Sequence, residues 1–83
     1  MNELNCKAPK LLHIGICINS DYPNYELFMD FEKIKVMKKK NMVRLSDSSN
    51  ELVFTFGNQE ETDDFEESVM QRRISYCTLS ITI

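Results

Sequence analysis

The chain has 83 residues and a net charge of −3, with 42% hydrophobic and 28% charged residues. This composition fits one small folded domain over residues 1–83 and excludes a disordered tail, which would lack so much apolar surface. No segment approaches the roughly 20 apolar residues of a membrane-spanning helix, and the N-terminus does not have the pattern of a signal peptide. We therefore expect an intracellular protein, cytoplasmic or nuclear.

Charge is unevenly distributed along the chain. Residues 1–45 hold eight Lys or Arg and five Asp or Glu, whereas residues 46–83 hold two and eight. The chain therefore has a basic part and an acidic part. The acidic part would repel a phosphate backbone, so nucleic acid is a disfavoured partner.

Potentially reactive side chains are few. The three cysteines, Cys6, Cys17 and Cys77, are too widely spaced for a zinc or redox motif, and Cys17 and Cys77 lie in apolar runs. Small core residues are favoured over a disulfide or a reactive thiol. His13 is the only histidine, and we expect a structural role for it. We expect no catalysis, no metal site and no cofactor.

The first predicted element is a strand over residues 10–19, after a loose N-terminal arm at residues 1–9. Leu12, Ile14, Ile16 and Ile18 share one face at period two. The other face is also poor in charge, which predicts a strand that is central in its sheet or covered on both sides.

Residues 25–37 allow two interpretations. Apolar residues at helical spacing would give a helix, whereas alternation from Tyr25 to Phe31 followed by Ile34 and Val36 gives strands. The strand interpretation needs a bulge or turn near residues 32–33, where the alternation changes phase. Aromatic and β-branched content favours strands, with residues 38–41 as a hairpin tip and residues 42–45 as the return strand.

Residues 51–73 predict a strand, a turn and a helix. Leu52, Phe54 and Phe56 share one strand face, and Gly57 ends the strand. Asn58 caps a helix over about residues 59–72, with acidic residues first and Arg72 and Arg73 last, as the helix dipole favours. Its apolar stripe is narrow and should pack on the aromatic strand face.

The chain ends in an alternating strand without charged side chains, residues 74–83. Such a strand lies inside a sheet or forms an interaction surface, because a bare uncharged edge pairs with other chains. The candidate edge-strand interface consists of Tyr76, Thr78, Leu79 and Ile81.

These elements predict an α+β fold, with an antiparallel sheet of about five strands and one helix packed on it. The predicted core residues are Leu12, Ile14, Ile16, Ile18, Phe31, Ile34, Val36, Leu52, Phe54, Phe56, Phe65, Val69, Leu79 and Ile81.

The stretches FEKIKVMKKK, NMVRLSD and ELVFTFGNQEETDDFEESV follow one another between residues 28 and 73. In order and residue type they resemble the second half of a pleckstrin-homology or GRAM-like domain, with Phe65 where that family has Trp. The resemblance implies a PH-like fold and favours lipid headgroups as ligands of the basic hairpin. The strand after the helix departs from the family pattern.

The basic set around the predicted hairpin consists of Lys33, Lys35, Lys38, Lys39, Lys40 and Arg44. A solvated hairpin that protects a sheet edge is the first interpretation. There are two alternatives. One is a phosphate or phosphoinositide ligand, which includes anionic lipid at a membrane surface, and the other is an acidic protein partner.

The leading functional prediction is a small non-catalytic module that binds another protein. The last strand is the first candidate interface and would also permit self-association, and the face that carries the acidic helix is the second. Phosphate-ligand binding through residues 33–44 is the alternative.

Overall fold

The computed structural model describes residues 9–83. The predicted N-terminal arm therefore lies outside the described residues except for Pro9, and Cys6 lies outside them as well. The elements in chain order are β1 (Leu11–Ile18), β2 (Tyr25–Asp30), β3 (Lys35–Lys39), β4 (Met42–Ser46), β5 (Glu51–Thr55), α1 (Gln59–Met70) and β6 (Tyr76–Ile81).

The strands form two three-stranded sheets. In the first sheet β1 is central, antiparallel to β2 and parallel to β6. In the second sheet β3, β4 and β5 are antiparallel neighbours in chain order. The predicted α+β class and the central position of β1 are confirmed.

This architecture differs from the prediction of one antiparallel sheet with about five strands. Six strands are divided between two sheets, and the β1–β6 pair is parallel. The physical reason is the helix between β5 and β6. Antiparallel neighbours need only a short turn, whereas a strand that follows a helix can return in the direction of a distant strand.

The strand interpretation of residues 25–37 is confirmed, and a turn separates β2 from β3. Asp30 organises this turn: its carboxylate accepts the N–H of Glu32 at 2.9 Å, and its carbonyl accepts the N–H of Lys33 at 2.8 Å. The phase change in the sequence therefore marks the end of one strand. The polar tip after β3 is a tight reversal at residues 40–41, with Lys40 at φ 53°.

The unit from β5 to α1 forms as predicted. The Asn58 side chain accepts the N–H of Glu61 at 2.8 Å and caps the helix. Phe65 packs on the aromatic strand face, with its ring 4.8 Å from that of Phe54 and 5.1 Å from that of Phe56.

The helix ends at Met70, two residues earlier than predicted. Arg72 takes the left-handed conformation at φ 54° and donates its N–H to the Val69 carbonyl at 3.0 Å. Arg73 donates to the Ser68 carbonyl at 2.8 Å, which completes a Schellman-type end. The basic residues that were predicted to be the last helical turn therefore lie just beyond it.

Buried residues from both sheets and the helix form one hydrophobic cluster. Every predicted core residue belongs to it, either buried or packed against it at partial exposure. Three fully buried members were not predicted: Met29, Val43 and Leu45. Val43 and Leu45 are buried because β4 is the middle strand of the second sheet, and its neighbours extend the apolar inner face on both sides.

Candidate functional site: a free strand edge and a basic hairpin

Strand β6 is an edge strand, with β1 on one side and no strand of residues 9–83 on the other. Two hydrogen bonds show which backbone groups face β1. The Ser75 carbonyl accepts the N–H of His13 at 2.9 Å, and the Ile81 carbonyl accepts the N–H of Asn19 at 2.9 Å. The backbone N–H and C=O groups of successive residues in a strand point to opposite sides. Because odd-numbered residues of β6 face β1, the even-numbered residues direct these groups to the other edge of β6. These residues are Tyr76, Thr78 and Ser80.

The side chains of β6 alternate between the core and the outer face of the first sheet. Leu79 and Ile81 are half-buried and pack on the hydrophobic cluster, whereas Tyr76 and Thr78 are exposed. The predicted edge residues are therefore together on one edge strand, but they have two roles. Tyr76 and Thr78 face outward, and Leu79 and Ile81 hold the strand to the domain. Strand β6 itself carries no charged side chain that would discourage pairing at this edge.

A row of three rings crosses the outer face of the first sheet. Phe28 and Tyr76 are the register partners of His13 on the two sides of β1. The ring centroids of His13 and Phe28 are 4.4 Å apart in a stacked arrangement, and those of His13 and Tyr76 are 4.7 Å apart edge to face. Nε2 of His13 also contacts the carboxylate of Glu26. The histidine is thus half-buried and hydrogen-bonded.

Gly15 determines the position of the Tyr76 ring. A Cβ atom at Gly15 would lie 2.5 Å from the Tyr76 hydroxyl oxygen and 3.1 Å from Cβ of Pro23. Tyr76 therefore leans across β1 into the space that the missing side chain leaves. This cluster is not evident from the sequence, since alternation shows that His13 and Gly15 share a face but does not identify the residues of other strands beside them.

The basic set does not form one cluster, because the second sheet divides it. Lys38 is on the inner side, where Nζ lies 2.7 Å from Oδ1 of Asp63 and 3.3 Å from Oε1 of Glu66 on α1. The hydrogen bond to Asp63 is the main cause that raises the pKa of Lys38. The same bond, followed by one from Gln59, lowers the pKa of Asp63. Lys38 is thus a structural contact between hairpin and helix.

The outer face of the second sheet mixes cations with exposed apolar side chains. Alternation places Lys35 and Lys39 on this face, opposite to Lys38. Arg44 joins them and pairs through Nε with Oε2 of Glu51 at 3.0 Å. The exposed apolar residues of this face are Met37, Met42 and Val53.

Four lysines of the basic set remain without a carboxylate partner in residues 9–83. Lys33 lies in the turn before β3, Lys40 lies at the hairpin tip, and Lys35 and Lys39 lie on the outer face. They are spread around the hairpin and are not aimed at one point. The arrangement suits a diffuse anionic surface better than a single enclosed anion.

The described cysteines are free thiols in apolar surroundings. Cys17 is buried and Cys77 is half-buried. Burial raises the pKa of Cys77 to about 11, so its thiolate, the nucleophilic form, is scarce at neutral pH.

A shallow hollow adjoins Cys17 and is lined by Asn19, Asp21 and Ser80 among others. Its polar groups serve the backbone: the Asn19 side chain accepts the N–H of Ile83 at 3.0 Å. Among residues 9–83, no three His, Cys, Asp or Glu side chains are grouped closely enough to hold a metal ion. The same part of the chain contains no helix that is long and apolar enough to cross a membrane.

The fold and these surfaces define a small α+β domain in which no other strand of residues 9–83 pairs with the outer edge of β6. Comparison with family models, curated proteins and solved structures gave no match to this chain.

Proposed function

We propose that this chain is a small non-catalytic module that binds an extended segment of another protein by strand addition at β6. The carrying observation is the uncharged edge strand with the outward backbone groups of Tyr76, Thr78 and Ser80. An added strand would satisfy these groups through main-chain hydrogen bonds, and the neighbouring side chains would supply specificity.

A second copy of the chain is one such partner. Two-fold pairing of β6 with itself would join two three-stranded sheets into one continuous sheet. A symmetric interface brings like residues together, so a charged strand would repel its copy, whereas β6 has no charge to repel. Self-association through β6 is therefore part of the proposal.

Three observations support a non-catalytic role. The pKa of Cys77 is raised to about 11, Cys17 is buried, and His13 is held between Phe28, Tyr76 and Glu26. The free thiols also suit a reducing compartment, so the proposed location is intracellular, cytoplasmic or nuclear.

The test removes an edge donor and leaves the β1–β6 ladder intact. Thr78→Pro deletes an N–H that points outward, which an edge strand tolerates, and Thr78→Val is the matched control that keeps the N–H. We expect peptides selected on the wild-type chain from a random display library to shift the amide resonances of Tyr76, Thr78 and Ser80. The affinity of these peptides should be about tenfold lower for Thr78→Pro, which is the effect of about one lost hydrogen bond plus the steric block. Their affinity for Thr78→Val should equal that for the wild-type chain.

Binding that survives Thr78→Pro, or that shifts only amides of the hairpin or of α1, would contradict strand addition. Sedimentation over a concentration range tests self-association in parallel. We expect the wild-type chain to self-associate and the Thr78→Pro variant to stay monomeric.

A second candidate function is binding of phosphoinositide or another phosphate ligand through residues 33–44. It is favoured by the four lysines without carboxylate partners in residues 9–83. The resemblance to a pleckstrin-homology or GRAM-like domain points the same way. Here α1 follows the three antiparallel strands β3, β4 and β5 and packs on their inner face, whereas the parallel strand β6 departs from the family pattern.

Sedimentation with phosphoinositide-containing vesicles at low salt tests this second function. Lys39→Ala with Lys40→Ala should weaken binding about thirtyfold, because each lysine near an anionic membrane contributes about 1 kcal/mol and neither has a carboxylate partner in residues 9–83. Lys38→Ala is the control and should bind like the wild type, because Lys38 is engaged by α1. Absence of vesicle binding by the wild-type chain would eliminate this candidate.

A further inference from the structure

We propose that the strand which adds to β6 carries an aromatic side chain opposite Tyr76, so that the partner extends the ring row of Phe28, His13 and Tyr76 by one ring. This inference rests on the proposed strand addition at β6. It goes further by naming the side chain that the edge selects and the face on which that side chain lies.

The spacing of the row carries the argument. The three rings occupy one cross-strand row over β2, β1 and β6, with centroids 4.4 Å and 4.7 Å apart. Neighbouring strands in a sheet lie about 4.8 Å apart, so the backbone of an added strand lies one such step outward from Tyr76, and an aromatic side chain there can lean over β6 as Tyr76 leans over β1. Rings at 4.5–7 Å are within the range of favourable aromatic pairs.

Tyr76 is already positioned to receive this side chain. Its ring leans over Gly15, where a Cβ atom would clash with the hydroxyl, and forms an edge-to-face pair with His13. It nevertheless remains 46% exposed at the end of the row. A ring held in place before binding loses little conformational freedom on contact, which favours selection of a partner by this residue.

The charges nearby do not favour a cation in the same position. On β2, Glu26 is engaged by His13 and Asp30 accepts the N–H of Glu32, and β1 separates both carboxylates from β6. Asp21 lines the hollow beside Ser80, which lies four residues along β6 from Tyr76, or about 13 Å at the rise of a strand. A side chain opposite Tyr76 therefore meets a ring before it meets a charge.

The probe is a set of host peptides, acetyl-Thr-Val-Thr-Xaa-Thr-Val-Thr-amide, with Phe, Leu, Arg or Ala at Xaa, titrated into the full chain. We expect the Phe peptide to bind about three- to tenfold more tightly than the Ala peptide, the range for one aromatic pair. Tyr76→Thr should reduce this ratio to about one. Phe28→Thr is the matched control, because Phe28 lies on β2, two strands away from β6. This variant should retain most of the preference for the Phe peptide over the Ala peptide.

The outcomes separate the two proposals. If all four peptides shift the amides of Tyr76, Thr78 and Ser80 with equal affinity, strand addition stands and the aromatic preference is wrong. Tightest binding by the Arg peptide also overturns the inference, since the edge then selects a cation. If no peptide shifts those amides at millimolar concentration, strand addition itself fails.

Discussion

Lys38 on β3 donates a hydrogen bond from Nζ to Oδ1 of Asp63 on α1 at 2.7 Å, and this contact ties the basic hairpin to the acidic helix. The basic and acidic halves of the sequence therefore meet at the surface of the folded domain. Part of the charge asymmetry that suggests two binding surfaces serves instead to position the hairpin over the helix.

Asp63→Asn should destabilise the domain at pH 7, and the difference from wild type should vanish in acid. The sign follows from the lowered pKa of Asp63, whose main cause is the hydrogen bond from Lys38. A carboxyl with a lowered folded pKa contributes stability above its unfolded pKa of about 4, and this is lost as pH falls through the folded value. Because the site is exposed, we expect the Tm at pH 7 to fall by at most a few degrees.

Thermal unfolding of both proteins from pH 2 to 8 measures this effect. Asp64→Asn is the control, because Asp64 is exposed and forms no ion pair within residues 9–83. The pKa of Lys38 is raised, so its own contribution should persist at neutral pH and disappear only at alkaline pH above the folded value. If the difference in Tm between wild type and Asp63→Asn stayed constant as the pH falls into the acid range, the ion pair would be contradicted.

Phe54→Ala should cost about 3–5 kcal/mol in the free energy of unfolding, whereas Val53→Ala should change it by about 0.5 kcal/mol or less. Phe54 is 4% exposed and packs on Phe65, while the adjacent Val53 is 42% exposed on the outer face. Urea unfolding followed by circular dichroism provides the comparison. Similar losses for the two variants would mean that both faces of β5 are covered in solution.

This strand and the helix after it were predictable because their signals are local. Alternation over residues 52–56 and the cap at Asn58 involve neighbours in the chain, and short-range geometry fixes where Phe65 falls. The orientation of Lys38 toward the helix was predictable from the same local signal. It lies two residues after Val36, on the same strand face, so the alternation that buries Val36 also turns Lys38 toward α1.

The first sheet was less predictable because its contacts join distant residues. Tyr76 lies beside His13 only after the chain has passed through the second sheet and α1, and the uncharged alternation of β6 fits a parallel or an antiparallel neighbour equally well. The ring row across Phe28, His13 and Tyr76 therefore emerges only when three strands align.

Gly15→Ala should disturb this row and be partly rescued by Tyr76→Phe. The new Cβ would lie 2.5 Å from the Tyr76 hydroxyl oxygen, so the ring has to move, and removing that oxygen relieves the closest contact. We expect about 1 kcal/mol of destabilisation for Gly15→Ala, from overpacking, and about 0.5 kcal/mol or less for Tyr76→Phe. In a double-mutant cycle by urea unfolding, the double variant should lose about 0.5 kcal/mol less than the sum. Strict additivity would mean that Pro23, rather than Tyr76, limits the space.

Cys77 should react slowly with iodoacetamide while the domain is folded. Burial raises the pKa of its thiol to about 11, compared with 9.0 for an unperturbed cysteine. At pH 8 the thiolate fraction is then lower by about a hundredfold, and the alkylation rate should fall in proportion, since the thiolate is the reacting form. The measurement uses a Cys6→Ser, Cys17→Ala variant with Cys77 as the only thiol, compared in buffer and in 8 M urea. Equal rates in the two conditions would show that β6 leaves the sheet readily, and the edge on which strand addition depends would then not be a stable surface.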